Sequence, residues 1–274
     1  MPLVTFDKIL PQARAEGRSV CAFNIVNCET AKAAISAAEQ TGRPVILQMY
    51  RRLFESDRAR YVAALVRDMA AHTDALVALH LDHGATLDQV RMAADYGFSA
   101  AMFDGSTLPL EENIRQTRLA AEIAHRAGIS LEGEIGHVPY NQDDAIPFPT
   151  PEEVVRFARE TGVDALAVAV GTTHGFYKKT PQIRLDLARA VSEAVKIPLV
   201  LHGGSDTPED KVKALVACGF AKINIATEFF AAFLAEVRRQ SDALAGGFKP
   251  LDLFLAPVVD AMTNLAVTKI RMVS

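Results

Sequence analysis

The 274 residues exceed one average domain but suit a single parallel α/β barrel, a fold that runs to roughly 200–250 residues as one unit. Half of the residues are hydrophobic and 23% are charged, which excludes a disordered or fibrous chain. With 29 basic against 33 acidic residues the net charge is -4, so nothing favours counterion release from a nucleic acid, and small molecules are the expected partners.

Taken in chain order, short apolar runs predict strands at Val20–Phe23, Val45–Met49, Val77–Leu81, Ala100–Phe103, Ser130–Glu134, Ala165–Val168, Leu199–Leu201 and Lys222–Ile225. Helix-patterned segments fall between them, among them Glu29–Gln40, Asp57–Ala71, Glu111–Ala127 and Thr207–Cys218. Eight such units predict a closed (β/α)8 TIM barrel filling residues 1–274 as one domain. An open doubly wound sheet fits less well, because no GxGxxG follows the first strand and no GxxxxGK[ST] occurs. The longest structureless stretch, Gly136–Pro149, follows the fifth strand and is a candidate lid.

Cys21, Cys28 and Cys218 form no CxxC pair, so neither a disulfide framework nor a cysteine zinc site is expected. The first residues lack a signal-peptide core, and no apolar run approaches the roughly 20 residues that span a bilayer. A cytoplasmic protein with no membrane partner is the expectation.

Barrel enzymes carry their chemistry at the carboxyl ends of the strands. Here the third strand ends in His80-Leu81-Asp82-His83-Gly84, the fourth in Asp104-Gly105-Ser106 and the fifth in Glu132-Gly133-Glu134. The sixth leads to Gly171-Thr172-Thr173-His174-Gly175 and the seventh to His202-Gly203-Gly204-Ser205. Three imidazoles with an open fourth position suit a catalytic zinc, which makes His83, His174 and His202 the candidate ligands. Asp82, Asp104 and Glu134 place carboxylates nearby, to move protons, orient ligands or hold a cation. His72 and His125 read as helix-surface residues and His137 as lying elsewhere, while strand alternation puts His80 on the same side as Asp82. Gly203-Gly204-Ser205 and Asn224-Ile225-Ala226-Thr227 each precede a predicted helix, where backbone amides can cradle a phosphate.

These residues resemble the class II, metal-dependent ketose-bisphosphate aldolase family. The resemblance runs in order through AFNIVN at 22–27, HLDHG at 80–84, GFSAAMFDGSTLPLEENI at 97–114, LEGEIG at 131–136, TGVDALAVAVGTTHGFYK at 161–178, PLVLHGGSD at 198–206 and KINIATE at 222–228. It implies one catalytic Zn²⁺ per chain on His83, His174 and His202, a monovalent cation such as Na⁺ or K⁺ near the phosphate loops, and a homodimer or homotetramer. It also implies that Asp82 protonates the aldehyde oxygen during carbon–carbon bond formation and that Asp104 and Glu134 support ligands or hold displaced metal. Gly175, Lys178, Gly203, Ser205, Asn224 and Thr227 then match a dihydroxyacetone phosphate site, and Asn27 an active-site amide.

Three positions depart from the family pattern. A loop glutamate that removes the donor proton is matched by Gln142, a neutral amide, so Asp143 or Asp144 becomes the candidate base unless the proton chemistry has changed. A small hydroxyl residue after the second strand is Tyr50 here, followed by Arg51-Arg52, which can bind an anionic tail or point to solvent. An arginine that reaches a second phosphate is matched by Leu251. The sequence therefore predicts an aldolase yielding dihydroxyacetone phosphate and a non-standard aldehyde. The same residues leave open a regulatory, phosphometabolite-binding paralogue or a metal-dependent isomerase or epimerase.

Overall fold

Ala22 pairs with Ile46 on one side and with Asn224 on the other, and that double pairing closes the sheet. The computed structural model describes residues 2–140, 142–144 and 148–274. Its strands are β1 (Val20–Asn24), β2 (Val45–Tyr50), β3 (Val77–Gly84), β4 (Ala100–Phe103), β5 (Ser130–Ile135), β6 (Ala165–Val168), β7 (Leu199–Leu201) and β8 (Phe220–Ile225). They run parallel in sequence order around a closed barrel, as predicted.

The helices are α1 (Leu10–Ala15), α2 (Cys28–Thr41), α3 (Arg51–Phe54), α4 (Ala59–Ala71), α5 (Leu87–Asp95), α6 (Leu110–Arg126), α7 (Pro151–Thr161), α8 (Leu185–Ala194), α9 (Glu209–Ala217), α10 (Thr227–Ala243) and α11 (Leu251–Met272). Local signals set their ends. Asn27 and Thr30 form a capping box at the start of α2, which stops at Gly42 in the left-handed region. Thr150 and Glu153 do the same for α7. The helix expected to begin at Asp57 starts two residues later, and α3 is an additional turn anchored by buried Leu53 and Phe54.

Outward strand residues such as Phe23, Leu47, Leu79 and Leu131 pack beneath the helices in the main core. Inside the barrel a second cluster joins Val20, Ala22, Ile46, Ala78 and Ala100 to Phe6, Ile9 and Leu10, which plug the amino-terminal end. Above this apolar floor the inward positions turn polar: Asn24, Gln48, His80, Asp82, Glu132, Glu134, Lys222 and Asn224 are all buried. Burying that many polar groups is costly unless they are paired or bind something, so the upper half of the barrel is built for a ligand rather than for packing.

The C-terminal α11 is long and apolar enough to cross a membrane by length and composition, contrary to the expectation that no apolar segment reaches that length. In the fold it packs on α2 and α10, with Val258, Met262, Ala266 and Ile270 buried.

Candidate active site

The register of β3 against β4 shifts between Leu81 and Gly84, and within that irregularity His83 takes a positive φ of 56°. A non-glycine residue held there is strained, and such strain persists where the surroundings fix it. The shift re-aims His83 into the barrel mouth. Its Nδ1 meets Asp104 Oδ2 at 2.7 Å, leaving Nε2 without a partner among the described residues.

His174 Nε2, His202 Nδ1 and Glu134 Oε2 are likewise shielded from solvent and make no hydrogen bond among the described residues, although His202 Nδ1 and Glu134 Oε2 lie 3.4 Å apart. The three histidines offer ligand atoms lying within 4.8 Å of one another, and His83, Asp104 and Glu134 form a second such group. His202 is fixed from behind, its Nε2 lying 2.9 Å from Glu132 Oε1, so Nδ1 is the nitrogen left facing the cluster. Bare nitrogens converging on one point, with His83 and His202 each oriented by a carboxylate, fit a divalent cation.

The electrostatics agree. Burial opposes charge on His83, but the Asp82, Asp104 and Glu134 carboxylates outweigh it and push the imidazole up to about 10. Burial holds His174 down to about 3 and His202 well below its ordinary value. Burial, reinforced by the Asp104 charge, raises Glu134 well above the carboxylate range. Burial also acts to raise Asp104, yet hydrogen bonds from His83 and Ser106 prevail and keep it far below that range. Protons are thus held on His83 and Glu134 inside the cluster, where a bound cation would take their place.

Asp82 projects from β3 into a ring of amides. Asn224 Nδ2 donates to Oδ1 at 3.1 Å, while Asn24 and Gln48 reach Oδ2 at 3.3 and 3.4 Å. Gln48 also donates to Asn24 Oδ1 at 2.7 Å, and Lys222 Nζ to Asn224 Oδ1 at 2.7 Å. The carboxylate is therefore fixed in direction while still lining the cavity.

That cavity, of about 980 Å³, spans the carboxyl end of the barrel. On one side Gly203, Ser205, Asn224, Ala226 and Thr227 line it beside Gly175. Gly203 has φ +70, and a Cβ there would lie 2.4 Å from the Thr173 carbonyl oxygen, so only glycine lets the two loops approach. Helix α10 begins at Thr227 with no cap from the side chain of Ala226, and the Glu228 N–H donates to Ser205 Oγ at 3.4 Å, so the first turn of the helix and Ser205 together face an anion. Gly204 lies behind this surface, its N–H donating to Asn224 O. Lys178 is exposed outside the lining, and its N–H donates to Gln142 Oε1 at 2.9 Å.

Tyr50, Arg51, Arg52 and Glu55 also line the cavity, the Tyr50 ring lying 6.5 Å from that of Phe230 on α10. Arg51 is tied to Glu55 at 2.7 Å, whereas Arg52 leans on the Tyr50 ring, 5.4 Å from its centroid, with no carboxylate partner among the described residues.

Several expected residues fall elsewhere. Asn27 spends its side chain capping α2 and does not line the cavity; the β1 amide that does is Asn24. Gln142 donates to Lys179 O and accepts from the Lys179 N–H as well, stitching the two loops together. Asp143 is exposed and paired with Lys179 at 2.8 Å, and Asp144 is exposed; neither lines the cavity. Of the predicted lid, residues 141 and 145–147 lie outside the described residues. Leu251 is exposed at the start of α11, away from the cavity. Among the lining residues that the sequence did not single out for the site are His137, and Tyr140, whose ring stacks on His174 at 4.7 Å.

A parallel (β/α)8 barrel with a cation-ready cluster beside an anion cradle defines an enzyme of the strand-end class. The pattern described as "Fructose-bisphosphate aldolase class-II" matches residues 4–274. The chain is 36% identical to the 6-phospho-5-dehydro-2-deoxy-D-gluconate aldolase of Bacillus subtilis, over 99% of this chain and 95% of that protein. It is 37% identical to the sulfofructosephosphate aldolase of Alkalicoccus urumqiensis, over 85% of this chain and 83% of that protein. The crystal structure of the YdjI aldolase from Escherichia coli K12 superposes with a TM-score of 0.89 at 30% identity, covering 99% of this chain and 97% of that one. The chain belongs to the class II fructose-bisphosphate aldolase family and is an aldolase, a carbon–carbon lyase.

Proposed function

We propose that the protein reversibly cleaves a phosphorylated ketose or keto-acid into dihydroxyacetone phosphate and an aldehyde whose far end carries a carboxylate or sulfonate. One juxtaposition carries this reading: His83 and His174 of the three-histidine cluster line the same cavity as the Gly203–Thr227 anion cradle and Arg52. A Zn²⁺ held by the cluster's nitrogens would supply Lewis-acid polarisation of a ketone oxygen.

The chain's own groups do the rest. The α10 N-terminus, Gly203 and Ser205 hold the phosphate, so its binding energy orients the reacting carbons. Asp82, aimed by Asn24, Gln48 and Asn224, takes the hydroxyl proton as the carbon–carbon bond breaks and returns it to the aldehyde oxygen in condensation. Arg52, unpaired by any described carboxylate, offers a planar cation for the anionic tail. The names of the two relatives, a gluconate and a sulfofructose phosphate aldolase, support this choice of tail.

The three free cysteines accord with a reducing, cytoplasmic compartment. Phe248, Leu251 and Leu253 expose apolar surface where α11 begins, which a second copy in a homodimer or homotetramer would cover.

The test is to incubate zinc-loaded protein separately with 6-phospho-5-dehydro-2-deoxygluconate, sulfofructose phosphate and fructose 1,6-bisphosphate, following release of dihydroxyacetone phosphate by phosphorus NMR. Cleavage of a carboxylate- or sulfonate-tailed substrate far ahead of the bisphosphate is expected. Equal or faster cleavage of the bisphosphate rejects the anionic-tail assignment, and release of triose phosphate from none of them rejects the donor.

A further inference from the structure

On the function proposed above, cleavage needs two proton carriers, one for the hydroxyl oxygen and one for the carbon that becomes the hydroxymethyl group of dihydroxyacetone phosphate. Asp82 meets the first need, and the groups expected from the sequence do not meet the second. Gln142 has no basic atom and is bound to the backbone of Lys178 and Lys179, while Asp143 lies outside the cavity lining and pairs with Lys179.

Most other titratable groups around the cavity are committed. Asp104 serves His83 and Ser106, and Glu55 serves Arg51 and Gln89. His83, His174 and His202 face the cation position. Tyr140, its phenol raised by partial desolvation and by the neighbouring carboxylates, is a proton donor rather than a base.

His137 is different. Its Nδ1 lies 3.1 Å from Ser106 Oγ, and Ser106 Oγ lies 2.6 Å from Asp104 Oδ1. Ser106 Oγ donates to Asp104 Oδ1, so its single hydroxyl proton is spent there. Ser106 Oγ must then accept from His137, which places the ring proton on Nδ1 and leaves the lone pair on Nε2. The half-buried imidazole lines the cavity on the loop that leaves β5. The chain Asp104–Ser106–His137 therefore does for this ring what an orienting carboxylate does for a general base: it fixes the tautomer and the ring plane.

We propose that His137 Nε2 is the base that exchanges a proton with the hydroxymethyl carbon of the donor. In condensation the Nε2 lone pair takes the carbon-bound proton, and the C–H electron pair becomes the carbon–carbon double bond of the enediolate. In cleavage the imidazolium returns that proton to the enediolate carbon and Nε2 regains its lone pair. Nδ1–H stays on Ser106 throughout.

The experiment follows hydrogen exchange by proton NMR when dihydroxyacetone phosphate is incubated in D₂O with zinc-loaded protein, comparing wild type with His137→Ala, His137→Asn, Asp143→Ala and Asp144→Ala. The asparagine variant keeps an N–H donor for Ser106 and removes only the base. Zinc content and thermal melting equal to wild type identify folded, loaded variants. Both His137 variants should lose exchange by roughly 10²–10⁴-fold, the usual contribution of a positioned base. Added imidazole should restore part of the rate to His137→Ala, a rescue that a merely structural histidine would not show. Wild-type exchange in His137→Asn, or loss confined to Asp143→Ala or Asp144→Ala, overturns the assignment. Wild-type protein that holds zinc yet exchanges nothing instead overturns the donor identity on which the assignment rests.

Discussion

Glu132 Oε1 sits 2.9 Å from His202 Nε2 at the floor of the site, and its other oxygen sits 2.9 Å from Lys222 Nζ, with all three side chains shielded from water. The carboxylate thus joins the cation cluster above to the barrel interior below. Its first consequence is for metal affinity. Glu132→Gln keeps the volume but weakens the acceptor that fixes the His202 tautomer, and losses of this kind cost roughly 10–100-fold in affinity. Competition with a chromophoric chelator should show that loss in Zn²⁺ binding; unchanged affinity would mean that His202 is not a ligand or is held by other contacts.

The same carboxylate predicts a stability effect of opposite logic. Lys222→Met leaves the Glu132 charge in a dry interior facing only two histidines, His80 and His202, that burial keeps neutral. Breaking a buried ion pair from one side costs roughly 3–5 kcal/mol, whereas removing both charges often costs far less. Urea titration should therefore find Lys222→Met strongly destabilised and the double variant Glu132→Gln/Lys222→Met less so, a positive coupling between neighbours. Additive losses would show that the two charges act independently.

Recognition of the far end of the substrate turns on the difference between two adjacent arginines. Arg51 is neutralised by Glu55, while Arg52 rests on the Tyr50 ring. Arg52→Met should lower kcat/KM for a carboxylate- or sulfonate-tailed substrate by roughly 10-fold or more, since a charge-assisted bond contributes about 1.5–3 kcal/mol. Arg51→Met should do less. Steady-state kinetics with a neutral short aldehyde as acceptor provides the control, because that substrate should not distinguish the Arg52 variant from wild type.

How much of this is readable from sequence varies with the physics. Every barrel strand is legible, because strands buried on both faces read as short apolar runs with punctuation between them. The strand-end histidines and acids are legible because the barrel dictates where strand ends point. Asn24, Gln48, Glu132 and Lys222 do not stand out as functional, although the available signal is a polar residue at an inward position inside an apolar run. The sequence favours Asn27 over Asn24 from the same short stretch, yet its position as the last residue before a helix marks it as a cap. Loop residues are hardest: whether Gln142, Asp143 or His137 faces the cavity depends on the path between β5 and α7, which no periodicity encodes.

Gly203 couples the anion cradle to the loop that carries His174. Alanine there meets both a positive φ and the Thr173 carbonyl oxygen, so the two loops must separate to admit it. Gly203→Ala is expected to raise KM for phosphorylated substrate and to lower the melting temperature, with a stability loss of about 1–3 kcal/mol. Gly128, which has a positive φ but open space where a Cβ would lie, is the comparison: its alanine variant should lose stability without raising KM. Equal KM values for the two variants would argue that the Gly203 backbone takes no part in anion binding.

The thiols supply a pH dependence far from the catalytic groups. Burial inside the wall of the barrel pushes Cys21 up from 9.0 to about 12, whereas Cys28 is exposed at the start of α2 and Cys218 is buried. A disulfide-exchange reagent at pH 8 should therefore label Cys28 alone in the folded protein and all three in denaturant. Between pH 9 and 12 the unfolded chain gives up the Cys21 proton while the folded chain keeps it, so the folded state binds more protons and stability must fall as pH rises through that window. In Cys21→Ala this part of the fall disappears, although the variant starts from a lower stability because of the cavity it opens. Unfolding free energies measured by urea titration at several pH values from about 8 to 11 check the slope, and parallel curves for wild type and Cys21→Ala would mean that the thiol ionises as readily in the fold as outside it.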